Sequence, residues 1–288
     1  MDITAKTKVF AVLGDPIEHT LSPMIQNYAA ALDKTDTVYH AFHVYKDGLE
    51  NAVKGGAALG ISGFNITVPH KKNVMKYLCA LDKNAEAIGA VNTLKLTENG
   101  YVGYNTDIVG AYYALETNGV DINGKTVLIL GAGGAGNACA AMAASRGAKK
   151  VYIANRTVKT AQDLAEHLLK FYSSDINTVS MDDIYGINAD IVINATTLGF
   201  GDKADMTPVK DVSWYKKAGV SAVFDAVYSP WETRLLREAK QEGIKTINGF
   251  PMLVYQALAA REIWLDIKYT ADDRQKICDE LTKLYLAK

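Results

Sequence analysis

The stretch TVLILGAGGAGNACAAMAA, Thr126–Ala144, decides the fold of this chain. An apolar run stops at Gly131; Gly131, Gly133 and Gly136 then stand in GxGxxG register, and an alanine-rich run follows. In a strand–turn–helix unit the first glycine permits a tight turn and the second lets the backbone approach a pyrophosphate. The third lets helix and strand pack closely. The start of the helix also offers N–H groups and a positive dipole end to phosphates. A GxGxxG alone is weak evidence. Here the strand before it, the helix after it and the second strand KKVYIA, Lys149–Ala154, supply the context of a dinucleotide-binding βαβ unit. The plainer alternative is that the glycines serve only a tight βα turn.

The end of that second strand selects the dinucleotide. An NAD site carries Asp or Glu there, accepting from the ribose 2′-hydroxyl. This chain instead reads Asn155, Arg156, Thr157, with Lys159 close by. A carboxylate would repel a 2′-phosphate, whereas a guanidinium binds it with forked, charge-assisted bonds. NADP is the expected cofactor; the alternative is a solvated arginine at a strand end.

Outward from this unit, strand-like runs alternate with helical patterns. KVFAVLG precedes SPMIQNYAAALDK, TVYHAFHV precedes DGLENAVKGGAALG, and ISGFNITV precedes a predicted helix near KKNVMKYL. This is the rhythm of a parallel sheet covered by helices. GAVNTLKL and YVGY follow, then a helix IVGAYYALETNG that stops at Gly119. VDINGKT reads as a polar linker before the glycine unit. Beyond that unit come the helix TAQDLAEHLLKFY, the strands ADIVINAT and SAVFDAVY, the helix TRLLREAKQEG, the strand IKTING and two amphipathic helices. The expected fold is α/β with two α/β lobes. Residues 1–115 form the first lobe and 116–248 a Rossmann dinucleotide-binding lobe, and residues 249–288 read as helices.

Composition narrows the function classes. The 288 residues are 49% hydrophobic, and 31 basic residues balance 32 acidic ones, so no net field favours nucleic acid or an anionic membrane. MDITAKTKVFAV lacks a signal-peptide pattern, and the most apolar window is broken by glycines and Asn137, against a membrane span. Cys79, Cys139 and Cys278 are scattered and form no CxxC pair, which suggests neither a disulfide framework nor a zinc site. A cytoplasmic location is expected. His40 and His43 lie on opposite faces of one strand and make no metal pair. No metal is expected.

The first lobe carries polar clusters at the ends of its elements. In GFNITVPHKKN, Gly63–Asn73, strand alternation puts Asn65 and Thr67 on one face and Ile66 and Val68 on the other, before Pro69, Lys71 and Lys72. GDPIEHTLSP holds Thr20 and Ser22, GAVNT holds Asn92, and GYNTDIVG holds Asp107. Each has an ordinary structural alternative. Ser22, Thr106 or Asp107 could cap helices, and Asn92 could sit in a turn.

Together these pieces carry a resemblance. GDPIEHTLSP, GFNITVPHK, GAVNT, GYNTD, GAGGAG, NRT, NATTLG, DAVY and GFPMLVYQA, in this order and spacing, resemble the shikimate dehydrogenase family along nearly the whole chain. The resemblance implies that the helices of residues 249–288 return to the first lobe, the substrate lobe, and that the protein catalyses reversible NADPH-dependent reduction of 3-dehydroshikimate to shikimate, in aromatic amino acid biosynthesis. It implies Lys71 and Asp107 as the catalytic pair, with Thr20 and Ser22 holding the substrate carboxylate. Asn65, Thr67, Asn92, Tyr228 and Gln256 would be further substrate contacts. Cofactor contacts would be Gly131, Ala132, Gly133, Gly134, Ala135, Gly136, Asn155, Arg156, Thr157, Lys159, Thr196, Ala226, Gly249 and Met252. The resemblance selects Lys71 over its neighbour Lys72; on a helix the two would project about 100° apart.

Three positions depart from the family pattern: Thr20 stands where Ser is usual, Thr160 where a basic residue is frequent, and Pro251 where Gly is common. The first leaves shikimate and quinate open, and the second loosens the NADP assignment. The rival readings are a quinate/shikimate dehydrogenase using NAD or both cofactors, another two-lobed enzyme such as a folate dehydrogenase, and a non-catalytic NADP-binding sensor. Expected partners are a small-molecule substrate and a second copy in a homodimer, with no nucleic acid and no membrane.

Overall fold

The computed structural model describes residues 3–287. The chain divides into two compact units: Asp107–Leu253 form one, and the flanking stretches up to Thr106 and from Val254 onward form the other.

The flanking unit begins with β1 (Lys8–Gly14), α1 (Ser22–Leu32), β2 (Thr37–His43), α2 (Leu49–Ala58) and β3 (Gly63–Ile66). It continues with β4 (Ala80–Leu81), α3 (Lys83–Ile88), β5 (Thr93–Thr97) and β6 (Gly100–Tyr104). Its sheet runs β2-β1-β3-β5-β6-β4. β2, β1 and β3 are parallel, as the βαβ rhythm predicts, whereas β3–β5 and β5–β6 are antiparallel. The parallel rhythm read in the first three strands holds there and does not extend to β5. Between β5 and β6 lie only Glu98 and Asn99, room for a hairpin turn but not for a crossover helix.

Two local expectations also change. β3 stops at Ile66, and Val68 is 65% exposed rather than sharing the buried face of Ile66. The backbone still pairs with β1, through Thr67 N–H to Leu13 O and Asp15 N–H to Val68 O. The predicted helix near KKNVMKYL is a turn followed by one short 3₁₀ segment, Asn73–Tyr77, so Lys71 and Lys72 lie before it and not on a helix. Two elements of this unit were not anticipated. β4 is too short to show a period, and α3 carries its signals at its ends: Asp82 accepts from Asn84 N–H and Ala85 N–H, and Gly89 closes it at φ +66°.

The second unit holds α4 (Asp107–Glu116), β7 (Thr126–Leu130), α5 (Gly134–Ser145), β8 (Lys150–Ala154), α6 (Val158–Leu168) and β9 (Ile176–Val179). β10 (Ile191–Asn194), α7 (Trp214–Ala218), β11 (Ala222–Asp225), α8 (Arg234–Gln241) and β12 (Lys245–Ile247) follow. Its sheet, β12-β11-β10-β7-β8-β9, is parallel throughout. This is the doubly wound order 3-2-1-4-5-6 seen from the other edge. The winding reverses between β7 and β10, where such sheets bind ligands at their carboxyl ends. β10 and β11 are buried at every position, which explains their uninterrupted apolar runs.

After β12 the chain enters α9 (Phe250–Leu265) and α10 (Ala271–Leu286). From Val254 onward these helices pack in the flanking unit. Trp264 stacks on Phe10 with centroids 4.6 Å apart and donates from Nε1 to Leu94 O at 2.8 Å. Gly63 leaves the space: a Cβ there would sit 2.4 Å from Trp264 Nε1.

Candidate functional site

In the flanking unit the expected substrate residues gather at the carboxyl ends of β1 and β3 and at the entry to β5. The loop after β1 brings Thr20 Oγ1 within 3.1 Å of Ser22 Oγ, and Thr20 Oγ1 also accepts from Ser22 N–H at 3.3 Å. Ser22 is not the cap of α1, whose N-cap is Leu21 without a side-chain bond. Asn65 is buried, and its amide donates to Asn92 O at 3.1 Å and Thr93 Oγ1 at 3.0 Å. Its Oδ1 accepts from the Tyr39 hydroxyl at 2.7 Å. Asn92 Oδ1 accepts from Thr93 Oγ1, Thr106 N–H and Thr106 Oγ1. Asn92 Nδ2 donates to Thr106 Oγ1 at 3.0 Å and to Gln256 Oε1 at 3.3 Å, which brings α9 into the cluster. Asn92 is thus locked at a strand end by bonds on both sides of its amide.

Tyr39 is the member that sequence reading missed. It is buried, and burial holds its phenol well above the usual range, so it is a neutral donor. Its position in TVYHAFHV looks like any strand aromatic, and nothing in the sequence marks its hydroxyl as aimed at Asn65. Thr67 packs over Gly14, where an added Cβ would lie 2.4 Å from Thr67 Cγ2. Lys71 is half-buried and Lys72 exposed; Lys71 O accepts from Val91 N–H at 2.9 Å, and neighbouring His70 is buried with Nε2 2.6 Å from Val44 O. Asp107 is buried at the start of α4, in the second unit, directly after Thr106. Tyr228 and Met252 also belong to the second unit, and Gln256 to the first.

In the second unit the three glycines have distinct surroundings. Gly131 has φ +105°, and a Cβ there would meet Ala195 at 3.0 Å. A Cβ on Gly136 would sit 2.0 Å from Gly131 O, while one on Gly133 would meet nothing within 4 Å. Turn, packing and open approach are thus divided among them. Asn155 braces the turn, accepting from Ala132 N–H at 3.3 Å and donating to Thr157 O at 2.9 Å.

A cavity of about 520 Å³ opens beside this turn, within the usual range for small-molecule sites. Of the expected cofactor residues, Gly131, Ala132, Gly133, Asn155, Arg156, Thr157 and Thr196 line it. Lys159 does not; its ammonium lies 2.8 Å from Asp163. Lys203 and Lys210, on the segment after β10, line the wall as well. Sequence offered no cue for them, since lysines in an irregular segment read as solvated. With Arg156 they set three cations against one lining carboxylate, Asp182. Gly249 and Ala226, which do not line it, pack against each other: a Gly249 Cβ would be 2.3 Å from Ala226 O.

Among the described residues no His, Cys, Asp or Glu group is arranged to hold a metal, and no helix is long and apolar enough to cross a membrane. His43 instead pairs with Asp15 at 2.7 Å.

Sheet order, glycine turn and cavity define an α/β protein of the doubly wound, dinucleotide-binding class joined to a second α/β unit. Residues 12–94 match the family model of the shikimate dehydrogenase substrate binding domain, and residues 114–199 that of shikimate / quinate 5-dehydrogenase. The chain is 41% identical to the NADP(+) shikimate dehydrogenase of Methanocaldococcus jannaschii over 98% of its own length and 100% of that protein. It is 47% identical to that of Methanococcoides burtonii over 89% and 92%. Its fold is similar to the shikimate 5-dehydrogenase of Listeria monocytogenes solved with shikimate and NAD, with TM-score 0.88, 33% identity, and 96% and 98% of the two chains covered. A shikimate dehydrogenase solved with NADP+ gives TM-score 0.86 at 38% identity, covering 97% of each chain. The chain belongs to the shikimate dehydrogenase family.

Proposed function

We propose that this protein is an NADP-dependent shikimate dehydrogenase, interconverting 3-dehydroshikimate and shikimate in aromatic amino acid biosynthesis. The observation that carries the reading is the glycine turn at the switch point. It opens onto a cavity whose cations, Arg156, Lys203 and Lys210, outnumber its carboxylate, in a chain similar throughout to NADP(+) shikimate dehydrogenases. Gly131 and Gly136 let the turn fold tightly, and Gly133 leaves the space a pyrophosphate needs. When bound, the nicotinamide supplies or accepts the hydride.

The chain's own residues do the remaining work. The unit of Asp107–Leu253 holds the cofactor and the flanking unit holds the substrate. Thr20 and Ser22 bind the carboxylate through neutral hydroxyls. Asn65, Thr67, Asn92, Gln256 and Tyr228 meet ring hydroxyls, and the Asn65–Asn92–Thr106 network keeps those amides from turning. Lys71 gives or takes the proton at the reacting oxygen, and Asp107 orients that oxygen. Arg156 binds the 2′-phosphate, Thr157 and Asn155 shape its cradle, Ala226 and Gly249 contact the cofactor, and Thr196 and Met252 border the nicotinamide end. Free Cys79, Cys139 and Cys278 suit a cytoplasmic location, and a homodimer belongs to the same reading.

The test follows the near-ultraviolet absorbance of the reduced nicotinamide with shikimate and quinate, each crossed with NADP and NAD. Shikimate with NADP should give the largest kcat/KM. Preference for quinate with NAD would transfer the assignment to a quinate/shikimate dehydrogenase. Cofactor binding without turnover on either acid would identify a sensor.

A further inference from the structure

We infer that Asp225 is a positioning residue for the cofactor cavity, acting through Asn194 on the loop that forms one wall. The inference rests on the reading of that cavity as the NADP site. Asn194 ends β10 and Asp225 ends β11; they are register partners, and both are completely buried. Asn194 Nδ2 donates to Asp225 Oδ1 at 2.9 Å and to Leu198 O at 3.3 Å. Its Oδ1 accepts from Thr196 N–H at 3.0 Å and Thr196 Oγ1 at 2.7 Å, and Thr196 Oγ1 accepts in turn from Leu198 N–H at 3.2 Å. One amide side chain therefore dictates the turn Ala195–Leu198, and every residue of that turn lines the cavity.

An amide has two faces of nearly equal shape, and something must choose between them. An ionised carboxylate accepts but cannot donate. Asp225 therefore forces the Asn194 NH₂ toward itself, which leaves the amide oxygen facing Thr196. The same carboxylate accepts from Val227 N–H at 3.0 Å and from Thr233 Oγ1 at 2.6 Å, so the turn after β11 and the start of α8 share the anchor. Ala226, in that turn, supports Gly249 through the close contact already described.

Among the described residues no cation bonds Asp225, and burial pushes its carboxyl up to about 6 against the pull of its three donors. A buried anion without a cation is a poor device for stability alone, because desolvation opposes it. Its chemical use here is as an obligate acceptor.

The test compares wild type, Asp225→Asn and Asp225→Ala at neutral pH, well below each melting temperature. It measures the NADPH dissociation constant by nucleotide fluorescence, and kcat and KM for shikimate. Asp225→Ala should weaken NADPH binding by about tenfold, the scale of one lost charge-assisted bond. Asp225→Asn keeps the shape and one acceptor oxygen and should recover part of that loss. KM for shikimate should change less than the NADPH dissociation constant for both, because the turn Ala195–Leu198 that Asn194 holds carries none of the proposed substrate contacts. Variants that melt earlier but bind NADPH as tightly as wild type would overturn the inference and leave Asp225 a structural residue. If Asp225→Ala does not fold, the Asn variant decides by the same criterion. A wild type that does not bind NADPH would instead remove the cofactor reading, and this inference with it.

Discussion

Two adjacent lysines separate at the residue scale. Lys71 is half-buried, with its carbonyl held by Val91 N–H, while Lys72 is exposed. A proton-transfer group needs a fixed position relative to the reacting oxygen, and a half-buried side chain suits that role better than an exposed one. Lys71→Ala should lower kcat by roughly 10²–10⁴-fold, the usual range for a general acid–base group, with little change in KM for shikimate. Lys72→Ala should leave both within about twofold. Steady-state kinetics on the two variants decide the matter, and equal losses would remove Lys71 from its role. The lysine pair itself was plain in the sequence; the reason they differ was not, because a helix was expected where the chain makes a turn. Tyr39 shows the opposite limit. Its hydroxyl orients Asn65, yet a buried strand tyrosine carries no local mark of its partner.

Among elements, the strand–turn–helix at Thr126–Ser145 was the most legible, because its glycines stand at a fixed spacing between an apolar strand and an alanine-rich helix. The structure separates the steric demands on them. Gly136→Ala would put a Cβ 2.0 Å from Gly131 O, so α5 must shift from β7. A loss of about 1–3 kcal/mol is expected from such overpacking, together with weakened NADPH binding. Gly133→Ala meets nothing within 4 Å in the protein, so its melting temperature should be nearly unchanged while NADPH binding weakens. Thermal melts paired with cofactor titrations distinguish the two. A Gly133→Ala protein that binds NADPH normally would show that the open space at this turn is not where phosphate approaches. The hairpin β5–β6 was less legible. Its strands and the two residues between them fix their mutual direction, but the antiparallel pairing of β5 with β3 is a tertiary choice that sequence alternation does not encode. β9 and α7 were missed for a simpler reason: four half-buried residues and five helical ones give too few positions for a period to stand out.

In the whole molecule, the flanking unit is assembled from two stretches separated by the entire second unit. Its closure depends on contacts between residues more than two hundred positions apart, and one of them is charged and buried. Arg261 of α9 is 2% exposed; it reaches Asp33, at the end of α1, at 2.9 Å, Thr35 at 2.8 Å and the Tyr269 hydroxyl at 2.9 Å. Tyr269 also bonds Asp33. Arg261→Ala would leave the Asp33 carboxylate without its cation in a mostly buried site, a change that typically costs about 3–5 kcal/mol. The urea midpoint should fall accordingly, with the m-value nearly unchanged because the same surface is exposed on unfolding. Saturating NADPH should still raise the midpoint, because every lining residue of the nucleotide cavity lies in Asp107–Leu253. Arg261→Met with Asp33→Asn removes both charges and should recover much of the loss, since two neutral groups need no mutual compensation. A single Arg261→Ala change costing less than about 1 kcal/mol, the value of an exposed pair, would mean that water reaches Asp33 and that apolar contacts such as Trp264 on Phe10 hold the returning helices in place.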